Sequence, residues 1–195
     1  MVRHEGHREG RGACNPRKMI SPDVELVSGT PAYGAGGDPA VLVIGVGNLL
    51  MGDEGVGIHI LRALEREGIC QGARLLDGGT GGINLLECIA LAPAVVMIDA
   101  TRDGKPAGTI TELQPDCVAD LPRGLSAHDF GLRDLFAAAA LLGQFPEIHL
   151  FTVSVETVQP MCLELSPSVE AAVPAVVHGV QSLAYRLAVG SQARA

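Results

Sequence analysis

The sequence has no tryptophan, and only 3% of its residues are aromatic. Packing must therefore be done by Leu, Val, Ile and Ala, within a chain that is 47% hydrophobic. Cysteines are few and scattered: Cys14, Cys70, Cys88, Cys117 and Cys162 form no C-x-x-C pair and are odd in number. That argues against a disulfide framework and against a thiolate zinc site, and favours buried free thiols in a reducing cytoplasm. No stretch reaches the ~18 apolar residues of a membrane span, so membrane insertion is not expected. The opening "MVRHEGHREGRGACNPRK" lacks the apolar centre of a secretory signal. Basic residues are in deficit. The net charge is −8, and from Ala40 onward nine basic residues face seventeen acidic ones. An acidic body repels nucleic acid and anionic membranes and better suits a cationic partner or a metal.

With 195 residues, the chain is long enough for one domain with a sizeable core. Residues 1–39 read as a flexible extension, rich in Gly, Arg, Glu, His and Pro. Its "HEGH" places His4 and His7 three apart in a Gly-rich coil, whereas a metalloprotease helix needs a spacing of four. A single domain is expected over 40–190, followed by a short tail over 191–195. Its first element, "AVLVIGVG", is a continuous β-branched run of the kind buried on both faces of a sheet. "GVGIHILRALEREG" then carries a helical apolar stripe closed by Gly68.

The alternation continues with the strand "ARLLDGG", the helix "GINLLECIALA" and the buried strand "AVVMIDA". "GTITELQP" reads as an edge strand, "GLRDLFAAAALLG" as a helix and "EIHLFTVSVE" as the last long strand. The final helix enters through Ser166 as cap and Pro167 at its first position, and Pro174 is placed to kink it. Strands alternating with helices predict an α/β fold: a three-layer, twisted, mostly parallel sheet with helices on both faces.

The stretch "VIGVGNLLMGDEGVG" can be read in two ways. As a phosphate cradle, it offers strand, G-x-G and helix, with Asp77 ending the second strand where a ribose-binding acid would sit. The third fingerprint glycine would have to stand at position 50, which is Leu50. Asp53 and Glu54 at the helix entrance would repel a pyrophosphate. No Gly-Lys-Ser/Thr follows, so it is not a Walker loop either.

As a carboxylate mount, the turn makes better sense. Sites of parallel sheets lie beyond the carboxyl ends of their strands. The polar residues predicted there are Asn48, Asp53 and Glu54, then Asp77, then Asp99. A half-shielded acid such as Asp99 needs a cation, and Arg102 is the only basic residue close in sequence. His128, in "LSAHDFGL", offers an imidazole from another loop. Glu54, Asp99 and His128 would form a set suited to Ni²⁺ or Zn²⁺. Each also has a plainer explanation: Glu54 favours the helix dipole, Asp99 caps a turn, and His128 bonds to its own loop. Spacing alone does not decide between these.

Together, "GVGNLLMGDEGVG", "DGGTGG", "VVMIDAT", "SAHDFGL" and "LELSPSV", in this order, resemble the hydrogenase maturation endopeptidases. The likeness covers roughly residues 41–187. By it, Glu54, Asp99 and His128 fall on the family's three metal-contacting positions, while Asp53 and Asp77 are expected to support loops rather than ligate. The resemblance implies a cytoplasmic endopeptidase that removes the C-terminal extension of a nickel-loaded [NiFe]-hydrogenase large-subunit precursor.

In that reading Ni²⁺ is a recognition element carried by the substrate, for which Zn²⁺ or Cd²⁺ could stand in. Nickel would place the scissile bond by proximity, and a metal-bound water could be the nucleophile. Neither G-x-S-x-G nor a cysteine in a matching motif supplies another nucleophile. The alternatives are a non-cleaving nickel-binding accessory protein of the same fold, or a nucleotide-binding α/β protein. Two departures stand out. The extension is extra to the family pattern, and "VSVET" replaces a Gly-Ile/Val-Glu-Pro form, keeping Glu156 but changing the loop after the last strand. His59, His149 and His178 read as structural or surface residues.

Overall fold

The structure is a computed structural model that describes residues 39–69, 72–80, 82–121, 132–143 and 146–192. Five strands form one sheet: β1 (Val41–Val46), β2 (Ala73–Gly79), β3 (Ala94–Thr101), β4 (Ile110–Leu113) and β5 (Glu147–Ser154). The helices are α1 (Val56–Glu67), α2 (Leu86–Leu91), α3 (Leu132–Leu141) and α4 (Pro167–Gln192). The sheet order is β2-β1-β3-β5-β4. The first four strands of that order are parallel, and β4 joins the edge antiparallel to β5. This is the predicted mostly parallel sheet between helical layers.

Period-two geometry explains why the apolar strands are unbroken. Val41 and Val43 of β1 point into a core shared with α1 and α4, while Leu42, Ile44 and Val46 point into a second core with α2 and α3. All six residues of β1 and all eight of β3 are buried. Each fully buried Val, Leu or Ile contributes about 1.5–3 kcal/mol relative to exposure. Edge strand β4 instead alternates between exposed and half-buried positions, as an edge must.

Helix α1 buries Val56, Ile60, Leu61 and Leu64 and ends at Gly68, whose N–H still reaches the Leu64 carbonyl at 2.9 Å while its φ of 89° turns the following chain out of the helix. The segment read as one helix from Gly82 is divided into a 3₁₀ turn, Gly82–Leu85, and the short α2. Ala92 is forced into extended backbone by Pro93, which stops α2 after Leu91. Pro174 lies inside α4 without dividing it into two elements. The helix is retained by its buried stripe of Val169, Ala172, Val176, Val180 and Leu183. The sequence expectations for His4, His7, Cys14, Cys70 and His128 fall outside the described residues.

Candidate functional site

The chain leaves β1 through Gly47, an 3₁₀ turn (Gly52–Gly55) follows, and α1 starts at Val56. Close approach dictates the glycines here. A Cβ on Gly57 would run into the carbonyl oxygens of Val46 and Ile98, and one on Gly47 into that of Glu54. The turn and the start of α1 are thus pressed against both β1 and β3. Glu54 is buried within this turn, with 5% exposure.

Asp99 sits on the neighbouring strand, completely buried. The sequence suggested that it ends β3, but the strand runs on to Thr101. Pairing with β5 continues through Asp99↔Thr152 to Thr101↔Ser154. On the other side, pairing with β1 stops at Gly45↔Ile98. Asp99 is therefore the first residue of β3 beyond the reach of β1, beside the place where the chain turns toward Glu54. Its Oδ1 accepts the Ala100 N–H at 2.8 Å.

This is also where the strand order reverses. From β1 the chain crosses outward to β2, then returns to place β3 on the opposite flank of β1. A crevice at such a switch point, outside the carboxyl ends of the strands, is the general binding place of open α/β sheets. Glu54 and Asp99 are buried carboxylates on adjoining elements, donor types that could hold a divalent cation. Among the described residues no three His, Cys, Asp or Glu side chains are gathered closely enough to hold an ion. His128, the third expected member, lies outside them.

Asp53 and Asp77 have different tasks. Asp77 is exposed within β2, on the far side of β1 from β3, and its Oδ1 accepts the Gly79 N–H at 2.9 Å. This is the loop-holding bond expected of it. Asp53 is buried and bonds to a segment distant in sequence: its Oδ1 accepts the Ser166 N–H at 2.6 Å. Ser166 does precede α4, but its hydroxyl oxygen has no hydrogen-bond partner, so the predicted side-chain cap is not made.

The loop after β5 is bound closely to the Glu54 turn, which sequence reasoning did not foresee. The Gly52 N–H donates to the Cys162 carbonyl at 2.8 Å and the Cys162 N–H to the Leu50 carbonyl at 3.2 Å. Gln159 donates its N–H to the Met51 carbonyl and accepts the Asp53 N–H on Oε1, each at 3.3 Å. His59, on α1, is half-buried, and its ring Nε2 has no hydrogen-bond partner. Burial lowers the His59 pKa, with a smaller push from Arg62. The Leu163 backbone and the Glu170 charge oppose the shift without reversing it. His149 is buried and pairs with Glu147 at 3.2 Å, and His178 is exposed on α4, so neither joins the site.

A family model described as hydrogenase maturation protease matches residues 58–182, a span that begins after Glu54 and includes Asp77, Asp99 and His128. The hydrogenase expression/formation protein HupD of Thiocapsa roseopersicina is 39% identical over 128 residues, 63% of this chain and 56% of that protein. The alignment with its counterpart HupM of Azotobacter chroococcum covers 59% of that protein, so the chain spans little more than half of these relatives. The hydrogenase 2 maturation protease of Escherichia coli K12 is 38% identical over 135 residues, 67% of this chain and 82% of that protein. Among solved structures, the hydrogenase maturating endopeptidase HybD from E. coli superposes with a TM-score of 0.67 at 32% identity. That match covers 75% of this chain and 92% of HybD.

Proposed function

Because this chain belongs to the hydrogenase maturation protease family, we propose that it is an endopeptidase acting on the large-subunit precursor of a [NiFe] hydrogenase. It removes the C-terminal extension of that precursor once nickel has been loaded, and Ni²⁺ in the precursor is what it recognises. The observation that carries this reading is the pair of buried carboxylates, Glu54 and Asp99, on adjoining elements at the β1/β3 switch point.

In this mechanism Glu54 and Asp99 accept the precursor's nickel, and His128 completes the set. The ion supplies Lewis acidity that lowers the pKa of a water. The chain's part is positional. Glu54 is held by the Gly52–Gly55 turn and Asp99 by the sheet, so the two carboxylates meet the ion from fixed elements. Fixing nickel fixes the nearby peptide bond, converting an encounter into an oriented reaction. The free thiols Cys88, Cys117 and Cys162 suit a reducing, cytoplasmic location, and no described helix is long and apolar enough to cross a membrane.

The test is incubation of the purified protein with nickel-loaded and nickel-free precursor in parallel, followed by intact mass. Loss of the extension from the loaded precursor alone is expected. Equal cleavage of both would remove nickel from the recognition step. Stoichiometric binding without any cleavage would favour a non-cleaving accessory protein.

A further inference from the structure

We infer that Gln159 is a positioning residue that holds the Glu54 turn in the arrangement the site requires. The first N–H groups of any helical turn have no partner within the turn itself. The Gly52–Gly55 turn has Met51 before it, and Met51 makes no side-chain capping bond. Its first two N–H groups are satisfied from outside. The Cys162 carbonyl accepts that of Gly52 at 2.8 Å, and the Gln159 side-chain oxygen accepts that of Asp53 at 3.3 Å. Gln159 is thus a cap supplied by a segment 106 residues away.

Gln159 is itself fixed on three sides. Its N–H donates to the Met51 carbonyl at 3.3 Å, and its Nε2 donates to Thr157 Oγ1 at 3.0 Å. Pro160 follows and restricts the Gln159 backbone to extended conformations. The fit with the turn is reciprocal. Gly52 has a φ of 60°, and a Cβ there would collide with Gln159 Oε1, so the amide occupies the space that glycine leaves open. Glu54 is two residues beyond Gly52 and directly follows the capped Asp53. Releasing the cap frees the backbone that aims the Glu54 carboxylate. Groups that orient a ligand from behind in this way typically matter 10- to 100-fold in metal affinity or activity.

The consequence for catalysis rests on the proteolytic reading above, whereas the hold on the turn does not. The experiment therefore has two arms. Gln159→Met keeps length and removes the acceptor, and Gln159→Glu keeps an acceptor oxygen. Hydrogen exchange is followed in the peptide containing Asp53 and Glu54, with peptides from β3 and α1 as controls for the fold. In Gln159→Met the turn peptide should exchange about tenfold faster while the controls are unchanged. Cleavage of nickel-loaded precursor should fall in kcat/KM by roughly 10- to 100-fold. Gln159→Glu should restore most of both.

Unchanged exchange of the turn in Gln159→Met would overturn the inference, as would faster exchange with undiminished cleavage. Were the wild-type protein unable to cleave the precursor, the proteolytic reading would fall, and the exchange result alone would support or overturn the hold by Gln159.

Discussion

Asp53 and Ser166 are 113 positions apart, yet the Asp53 carboxylate accepts the Ser166 N–H at 2.6 Å. Ser166 immediately precedes Pro167, the first residue of α4. In a capping box, the residue at the third helical position reaches back to this same N–H. Here that position is Val169, which is apolar and buried in the core. Asp53 takes over the role from the far end of the chain, and its negative charge sits where the helix dipole favours it. The relationship ties the Glu54 turn to α4, the longest of the described helices.

Asp53→Ala should destabilise the protein by about 1–3 kcal/mol, because it strands the Ser166 N–H in a part-buried position. Asp53→Asn keeps an acceptor and should lose less. Urea unfolding of the three proteins, at constant slope, measures the difference. Equal stability of Asp53→Ala and the wild type would show that water replaces the carboxylate there.

Gly57→Ala should be more harmful than any surface substitution in α1. The added Cβ would meet the backbone oxygens of Val46 and Ile98, and neither can rotate away as a side chain could. Overpacking of this kind costs typically 1–3 kcal/mol, and a rigid double clash belongs at or above the upper end. Poor soluble expression or a large fall in melting temperature is expected. A variant that melts like wild type would contradict the close approach of α1 to β1 and β3.

His59 should make stability depend on pH in a specific direction. Its folded-state pKa is lowered from the ordinary 6.5, chiefly by burial and further by Arg62, against the Leu163 backbone and Glu170. The unfolded chain therefore binds a proton more readily than the folded one. The contribution is fully present above the unfolded pKa and is lost as pH falls through that value toward the lower folded one. His59→Gln removes the titration. Urea unfolding of wild type and variant between about pH 7.5 and 5 should show wild type losing ground to the variant as pH falls. Parallel curves would mean that His59 titrates alike in both states.

Much of this was legible in the sequence because it depends on local pattern. The buried run Val41–Val46, the stripe of α1 and the buried run of β3 follow from side-chain periodicity, although β3 continues two residues past the acid expected to close it. What could not be read was the order of the strands. That Asp99 lies just past the end of β1 depends on β1 and β3 being neighbours while β2 lies on the other flank. The loop after β5 was illegible for the same reason. Gln159 and Cys162 carry no pattern of their own, and Ser166 was legible only as the start of a helix; their bonds to a turn more than a hundred residues earlier exist only because folding brings them there. Asp77 shows the converse case. Its bond to Gly79 spans two residues, and Asx-turn chemistry alone anticipates it.

His128→Ala tests the third member of the proposed set. If nickel in the precursor needs an imidazole to complete its recognition, truncating His128 should abolish loss of the C-terminal extension. Glu54→Gln should behave similarly, since it keeps the shape of a buried side chain while removing its charge. Asp99→Ala is a poorer probe: Asp99 is fully buried in the centre of the sheet, so packing and charge would change together. Intact-mass kinetics on nickel-loaded precursor, paired with a thermal melt, separate loss of chemistry from loss of fold. The expected result is a His128→Ala protein that melts like wild type and leaves the precursor uncut. Undiminished cleavage by that variant would make His128 a loop residue and leave Glu54 and Asp99 to hold the ion without it.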